Sequence, residues 1–186
     1  MTNSAASSVH LNDGRSLIYD WFGSWVDETP TRRFSPNHLH PLISEALNSN
    51  SLSQYFARFL DSGERLTQAE WAKAHLCFTD SLRPFEGFAT TPLSKTLKTW
   101  AIANYDGHQS LQSPATLSQL LAAMSDFAQH RALYEQHHVL HNYLLPLTQH
   151  TRAELPLCAG PYRELCELIH QWCAIEDQWL TEHAHR

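Results

Sequence analysis

His137 and His141 are four residues apart, and on an α-helix that spacing puts both imidazoles on one face, near enough to chelate one metal ion. Cys166, His170 and Cys173 follow at intervals of four and three in the C-terminal segment. If the two segments pack as antiparallel helices, two ligands from each make a mixed imidazole and thiolate set, which zinc accepts in tetrahedral geometry. The candidate metal ligands are therefore His137, His141, Cys166 and His170. A plainer expectation stands beside this one. The chain has 13 histidines, so four-apart pairs arise from composition alone, and cysteine is among the most buried residue types. Cys166 and Cys173 border the apolar stripe of Ile169 and Trp172, where core packing accounts for them. On that expectation the protein carries no cofactor, and zinc or haem is the alternative.

Haem enters through the face from His130 to His141, where Tyr134, His137 and His138 also lie. Its imidazoles suit axial ligation or a packing change near neutral pH, whereas a solvated polar face is the simpler expectation. Glu135-x-x-His138 and Glu167-x-x-His170 have the pair spacing of ferritin-like di-iron bundles. Such bundles need a Glu from each of two other helices, one of them between the pairs. That stretch is broken by Pro146, Pro156, Gly160 and Pro161, so the di-iron reading is rejected. The ligand order of hemerythrin across four helices is not reproduced either.

Other catalytic signatures are missing: no Gly-rich phosphate loop, nucleophile elbow, His-Glu-x-x-His or dinucleotide fingerprint occurs. Phe85-Glu86-Gly87-Phe88 lies between two helix signals, and aromatics on such a loop suit recognition of a partner. Phe85 and Phe88 are the candidate partner-binding residues; the competing expectation is a lid folded onto the core.

Helical elements must position these groups, because apolar residues recur at helical spacing throughout and strand alternation does not. The first helix is expected from about Asp13 to Glu28, with Leu17, Ile18, Trp21, Phe22 and Trp25 on its stripe. Residues 1–12 read as a flexible N-terminal tail and 13–186 as the bundle. A second helix runs from about His40 to Leu47, and a third carries Leu52, Tyr55, Phe56, Phe59 and Leu60 to a stop at Gly63. Thr67-Gln68-Ala69-Glu70 is a capping box that opens a helix ending before Pro84. Thr91-Pro92 opens another, closed by Asp106-Gly107. Ser113-Pro114 starts the longest, which runs to Leu145 and ends at Pro146, with a looser passage beyond. The last helix spans about Pro161 to His183. Trp21, Trp25, Trp100 and Trp172 are expected in one core. The fold class is all-α, a single-domain antiparallel bundle of about six to seven helices.

The composition limits the function. In these 186 residues, 42% are hydrophobic and only 17% charged, which is globular material with a surface of neutral polar groups and histidine. A net charge of -6 and no Lys/Arg cluster argue against nucleic acid as a partner. No stretch approaches the roughly 20 apolar residues that span a bilayer, and the start lacks a signal peptide's pattern, so the chain reads as cytoplasmic with no membrane partner. Four cysteines without a Cys-x-x-Cys pair read as reduced thiols. The function expected is a non-enzymatic cytoplasmic regulatory or adaptor domain that binds a protein partner or small ligand. The alternative is a metal- or haem-binding bundle using the His-rich C-terminal helices.

Overall fold

The computed structural model describes residues 3–27, 41–48, 51–82, 99 and 116–183, with side chains from residue 14 onward except at 42. Phe85, Phe88, Trp100 and the helix expected to open at Thr91-Pro92 lie outside the described residues. Within them the chain is all-α, with no strand.

Helix α1 (Asn3–Asp27) begins ten residues before the expected start, and residues 3–12 of the stretch expected to be a tail belong to it. Nothing in that stretch breaks a helix: it holds no proline, and its Ala and Leu residues favour one. The apolar side of α1 buries Ile18, Tyr19, Phe22 and Val26. Helices α2 (Pro41–Leu47), α3 (Ser53–Glu64) and α4 (Gln68–Ser81) follow. The capping box of α4 forms as its sequence implies, with Thr67 Oγ1 accepting from the Glu70 amide and the Glu70 carboxylate accepting from the Thr67 amide at 2.8 Å.

Helix α5 (Leu117–Gln129) starts later than expected, at a second capping box that Thr116 forms with Gln119. It packs antiparallel on α1: Ser16 meets Ser125 at 2.9 Å, while Ser118 near its start bonds Asp27 at the end of α1. It does not run on into the histidine-rich segment. Arg131 adopts φ 57°, and the Ala132 and Arg131 amides bond back to the Phe127 and Ala128 carbonyls. That double return is a Schellman stop, here made with arginine in the left-handed position that glycine usually takes.

Past this stop, α6 (Leu133–Val139), a π-helical segment (Leu140–Leu144) and α7 (Leu145–Glu154) follow without interruption, so Pro146 does not end the helix. The π segment is the reason. The Leu145 amide bonds the Leu140 carbonyl, five residues back, which widens the turn where the proline ring would otherwise strike the backbone. Pro146 then sits in the first turn of α7, where no amide donor is required. The looser passage expected from Pro146 to Pro161 is confined to Leu155–Gly160, where a short 3-10 turn (Leu157–Ala159) reverses the chain into α8 (Pro161–His183).

Helix α8 lies antiparallel to the whole α6–π–α7 rod. His137 meets Thr181, His141 meets Asp177, Thr148 meets His170 and Arg152 meets Glu167, so one partner climbs as the other descends. The core buries Leu165, Leu168, Ile169, Trp172 and Leu180 of α8 with Leu121 and Met124 of α5. Trp21 and Trp25 pack against that core and Trp172 belongs to it.

Cys77 of α4 and Cys158 of the 3-10 turn form a disulfide, so these two thiols are not reduced as expected. The signal was invisible in the sequence because the pair is separated by 81 residues and is made by packing of α4 on the turn. Cys166 and Cys173 remain thiols and are buried.

Aromatic rings fill the α1–α3–α4 junction. Trp71 lies 5.4 Å from Trp25 and 5.7 Å from Tyr162, and its indole nitrogen donates to the Gly63 carbonyl at 3.3 Å. Gly63 therefore lies inside the last turn of α3 and serves close approach more than helix termination. A Cβ there would fall 2.5 Å from the Trp71 ring. Helix propensity alone makes Gly63→Ala stabilising by about 0.5–1 kcal/mol, whereas the displaced indole makes it destabilising by about 1–3 kcal/mol. Chemical denaturation is expected to show the second sign.

Candidate metal centre

His137 of α6 and His141 of the π segment stand with ring centroids 5.7 Å apart, on the side of the rod that faces α8. Opposite them is Asp177. Its Oδ1 lies 3.3 Å from His141 Nδ1 and 3.9 Å from His137 Nε2. One ligand atom from each of the three lies within 4.8 Å of the others. Two donors about 2.0–2.1 Å from a tetrahedral zinc ion are about 3.4 Å apart; the Asp177–His141 separation of 3.3 Å already matches this, and His137 at 3.9 Å must close on Asp177. His137 and Asp177 are largely covered, whereas His141 is 62% exposed. Three protein ligands on an open side leave positions for water or a further donor.

Hydrogen bonds order the three side chains. Thr181 Oγ1 donates to the Asp177 carbonyl at 2.7 Å and therefore accepts from His137 Nε2–H at 3.3 Å. A metal on Nε2 must displace that bond and move the ring proton to Nδ1. The Asp177 carboxylate accepts from His141 Nδ1–H.

Of the four ligands expected from spacing, the structure brings His137 and His141 together and places Cys166 and His170 elsewhere. Cys166 is buried, and burial pushes its thiol far above the usual range, with Glu167 adding in the same direction. His170 Nδ1 shares a hydrogen bond of 3.0 Å with Thr148. Cys166 and His170 lie eleven and seven residues before Asp177 on α8, about 16 Å and 10 Å along the axis. The cause is the hairpin register. A turn at Pro146 would set His137 and His141 opposite the first turns of α8, where Cys166 and His170 are. The actual reversal at Leu155–Gly160 slides α8 by about three turns and delivers Asp177 instead. The Glu-x-x-His pairs are likewise engaged separately: Glu167 pairs with Arg152 at 2.9 Å, and Asn142 donates to His138 Nδ1 at 3.3 Å. His130 bonds the carbonyl of Asp126 at 2.9 Å.

No protein-family model matches the chain, and no curated protein or solved structure is significantly similar to it.

Directly beneath the candidate centre is a buried polar junction that spacing arguments passed over. Arg15 of α1 is 3% exposed; its Nη2 lies 2.6 Å from Glu176 Oε2 and 2.6 Å from Gln136 Oε1, and its Nε donates to Glu176 at 2.7 Å. Tyr19 adds a 3.3 Å bond to the same carboxylate. Burial, with Glu176 beside it, drives the Tyr19 phenol far up, which keeps it a donor. Burial also raises the Glu176 carboxyl, against the pull of Arg15 and Tyr19. Gln136 Nε2 donates to the Phe127 carbonyl at the end of α5. The Arg15 guanidinium caps the Trp179 ring at 4.4 Å. The signal was present in the sequence: Arg15, Gln136 and Glu176 are each polar residues set three or four positions from apolar ones on a buried stripe.

Burial lowers the pKa of His170 below the ordinary histidine value, with Arg152 adding to it and Glu167 opposing. The folded state therefore disfavours the imidazolium, and the unfolded chain binds that proton more readily. Stability contributed by neutral His170 is lost as pH falls through about 6.5, the unfolded value. An NMR titration is expected to place the His170 midpoint below that value, and His170→Gln should flatten the acid side of the stability curve.

Proposed function

We propose that this chain is a regulatory binding domain whose ligand is a divalent transition-metal ion, held between α6 and α8 by His137, His141 and Asp177. The observation that carries this reading is the convergence of two imidazoles and a carboxylate within 4.8 Å. Imidazole nitrogens favour zinc, copper, nickel and iron over magnesium or calcium, which prefer all-oxygen sets. Open positions on the exposed side suit exchange of the ion or completion of its shell by a partner's donor. Haem finds less support, because His138 Nε2 is buried away from any ligand on the exposed face and His130 bonds the Asp126 carbonyl through Nδ1.

The test uses protein prepared without a His tag and stripped with chelator. One equivalent of zinc should bind and raise the melting temperature, since a ligand at a hundredfold its Kd stabilises the native state by about 2.7 kcal/mol. His141→Ala and Asp177→Asn should each abolish the gain. An i,i+4 histidine pair acting alone would bind equally well in Asp177→Asn, and that result, or no stoichiometric binding by the wild type, defeats the reading.

A protein partner is the second reading, favoured by Leu76 and Leu157, which are 63% and 82% exposed beside the disulfide residues Cys77 and Cys158. Exposed apolar side chains flanking a cross-linked turn suit docking of another protein. Leu157→Asp should then remove a co-purifying partner without changing stability. No described helix is long and apolar enough to cross a membrane. Disulfides are rare in the reducing cytosol, so the Cys77–Cys158 bond weighs against the cytoplasmic location expected from sequence.

A further inference from the structure

Each side of the candidate centre is one residue away from the buried polar junction. Gln136 precedes His137 on α6, and Glu176 precedes Asp177 on α8. Successive residues on a helix are about 100° apart around the axis, so fixing the inward residue fixes the direction of its outward neighbour. Both inward residues are held by one group, the guanidinium of Arg15, whose Nη2 stands 2.6 Å from each. We infer that Arg15 of α1, acting through Gln136 and Glu176, is a positioning residue that sets the spacing of His137 and Asp177, so that docking of α1 controls the affinity of the metal site. This inference rests on the metal reading proposed above.

The need for such a clamp follows from the construction of α6. It is a short element between the left-handed turn at Arg131 and the π segment at Leu140, so no long run of regular helix fixes its rotation. Gln136 and Val139, both fully buried, hold it against the core, and Gln136 is the one that does so through directional hydrogen bonds. Its amide nitrogen reaches back to the Phe127 carbonyl at 2.9 Å, and its oxygen takes the Arg15 bond. On the opposite side, Glu176 receives Arg15 and Tyr19, both from α1. Helix α1 thus supplies the donors that tie the two halves of the site together without touching the ligand atoms. By linkage, an ion that draws His137 and Asp177 together strengthens the junction, and the effect on α1 equals the effect of α1 on the ion.

The experiment titrates zinc into the chelator-stripped full chain and into two variants. Arg15→Met combined with Glu176→Leu replaces the buried ion pair with apolar groups of similar size, and Gln136→Met removes the α6 anchor alone. Both are expected to retain a helical far-ultraviolet spectrum and a cooperative melt. Their zinc affinity, measured well below the melting transition, should fall about tenfold or more, the range typical when groups that orient metal ligands are removed. In the wild type, zinc should slow amide exchange of α1 around Arg15, and this protection should vanish in the variants. A purely structural junction would lower the melting temperature and leave affinity and α1 exchange untouched. If the wild type binds zinc and the folded variants bind it equally, the positioning role is overturned while the metal site stands. If the wild type binds no zinc, the metal reading fails and the inference falls with it.

Discussion

The arrangement of the C-terminal half turns on how one helix passes a proline. Pro146 has no amide to donate, and in a regular α-helix its ring would crowd the carbonyl four residues earlier. The chain meets this constraint just before the proline, where Leu140–Leu144 adopts π geometry and the Leu145 amide reaches back five residues. Asn142, within the same segment, donates its side-chain amide to the His138 carbonyl at 2.8 Å. The helix then continues to Glu154, and the reversal waits for Leu155–Gly160. Every pairing between the rod and α8, from Arg152–Glu167 to His137–Thr181, inherits that register.

The second organising feature is electrostatic. A guanidinium and a carboxylate, each almost wholly buried, are a costly choice for a core, because desolvation opposes their attraction. What the pair contributes is direction: a charged hydrogen bond tolerates little displacement, whereas leucine against leucine tolerates much. The junction gathers α1, the end of α5, α6 and α8 at one point. Removing a single partner would leave an uncompensated buried charge, a loss of about 3–5 kcal/mol. The aromatic cluster around Trp71 and the Cys77–Cys158 bond anchor the other end of the molecule, joining α4 to the turn that precedes α8.

Chemically, the candidate centre is a modest one: two neutral donors and one anionic donor, partly open to solvent, over a rigid support. A site of this kind responds to what surrounds it. The ion must compete with the Thr181–His137 and His141–Asp177 hydrogen bonds, shift each ring proton to the other nitrogen and find both imidazoles neutral, so its affinity depends on pH and on how closely α6 and α8 are held.

Much of the local structure was legible in the residues. Helical spacing marked the elements, Thr67-Gln68-Ala69-Glu70 formed its capping box, and the four-residue interval of His137 and His141 did put the two rings side by side facing α8. These are short-range facts, set by the 3.6-residue period and by backbone groups needing partners. Position along the rod was not legible, since a π segment leaves no composition signature and Pro146 reads as a stop. The displaced hairpin exchanged Cys166 and His170 for Asp177 opposite the histidines. Likewise the Cys77–Cys158 bond and the meeting of Arg15 with Gln136 and Glu176 join residues 81 to 161 apart, and no local rule specifies such partners. Sequence determined which face of each helix carries chemistry. Only the packed chain decided which faces meet, because that depends on where the helices turn.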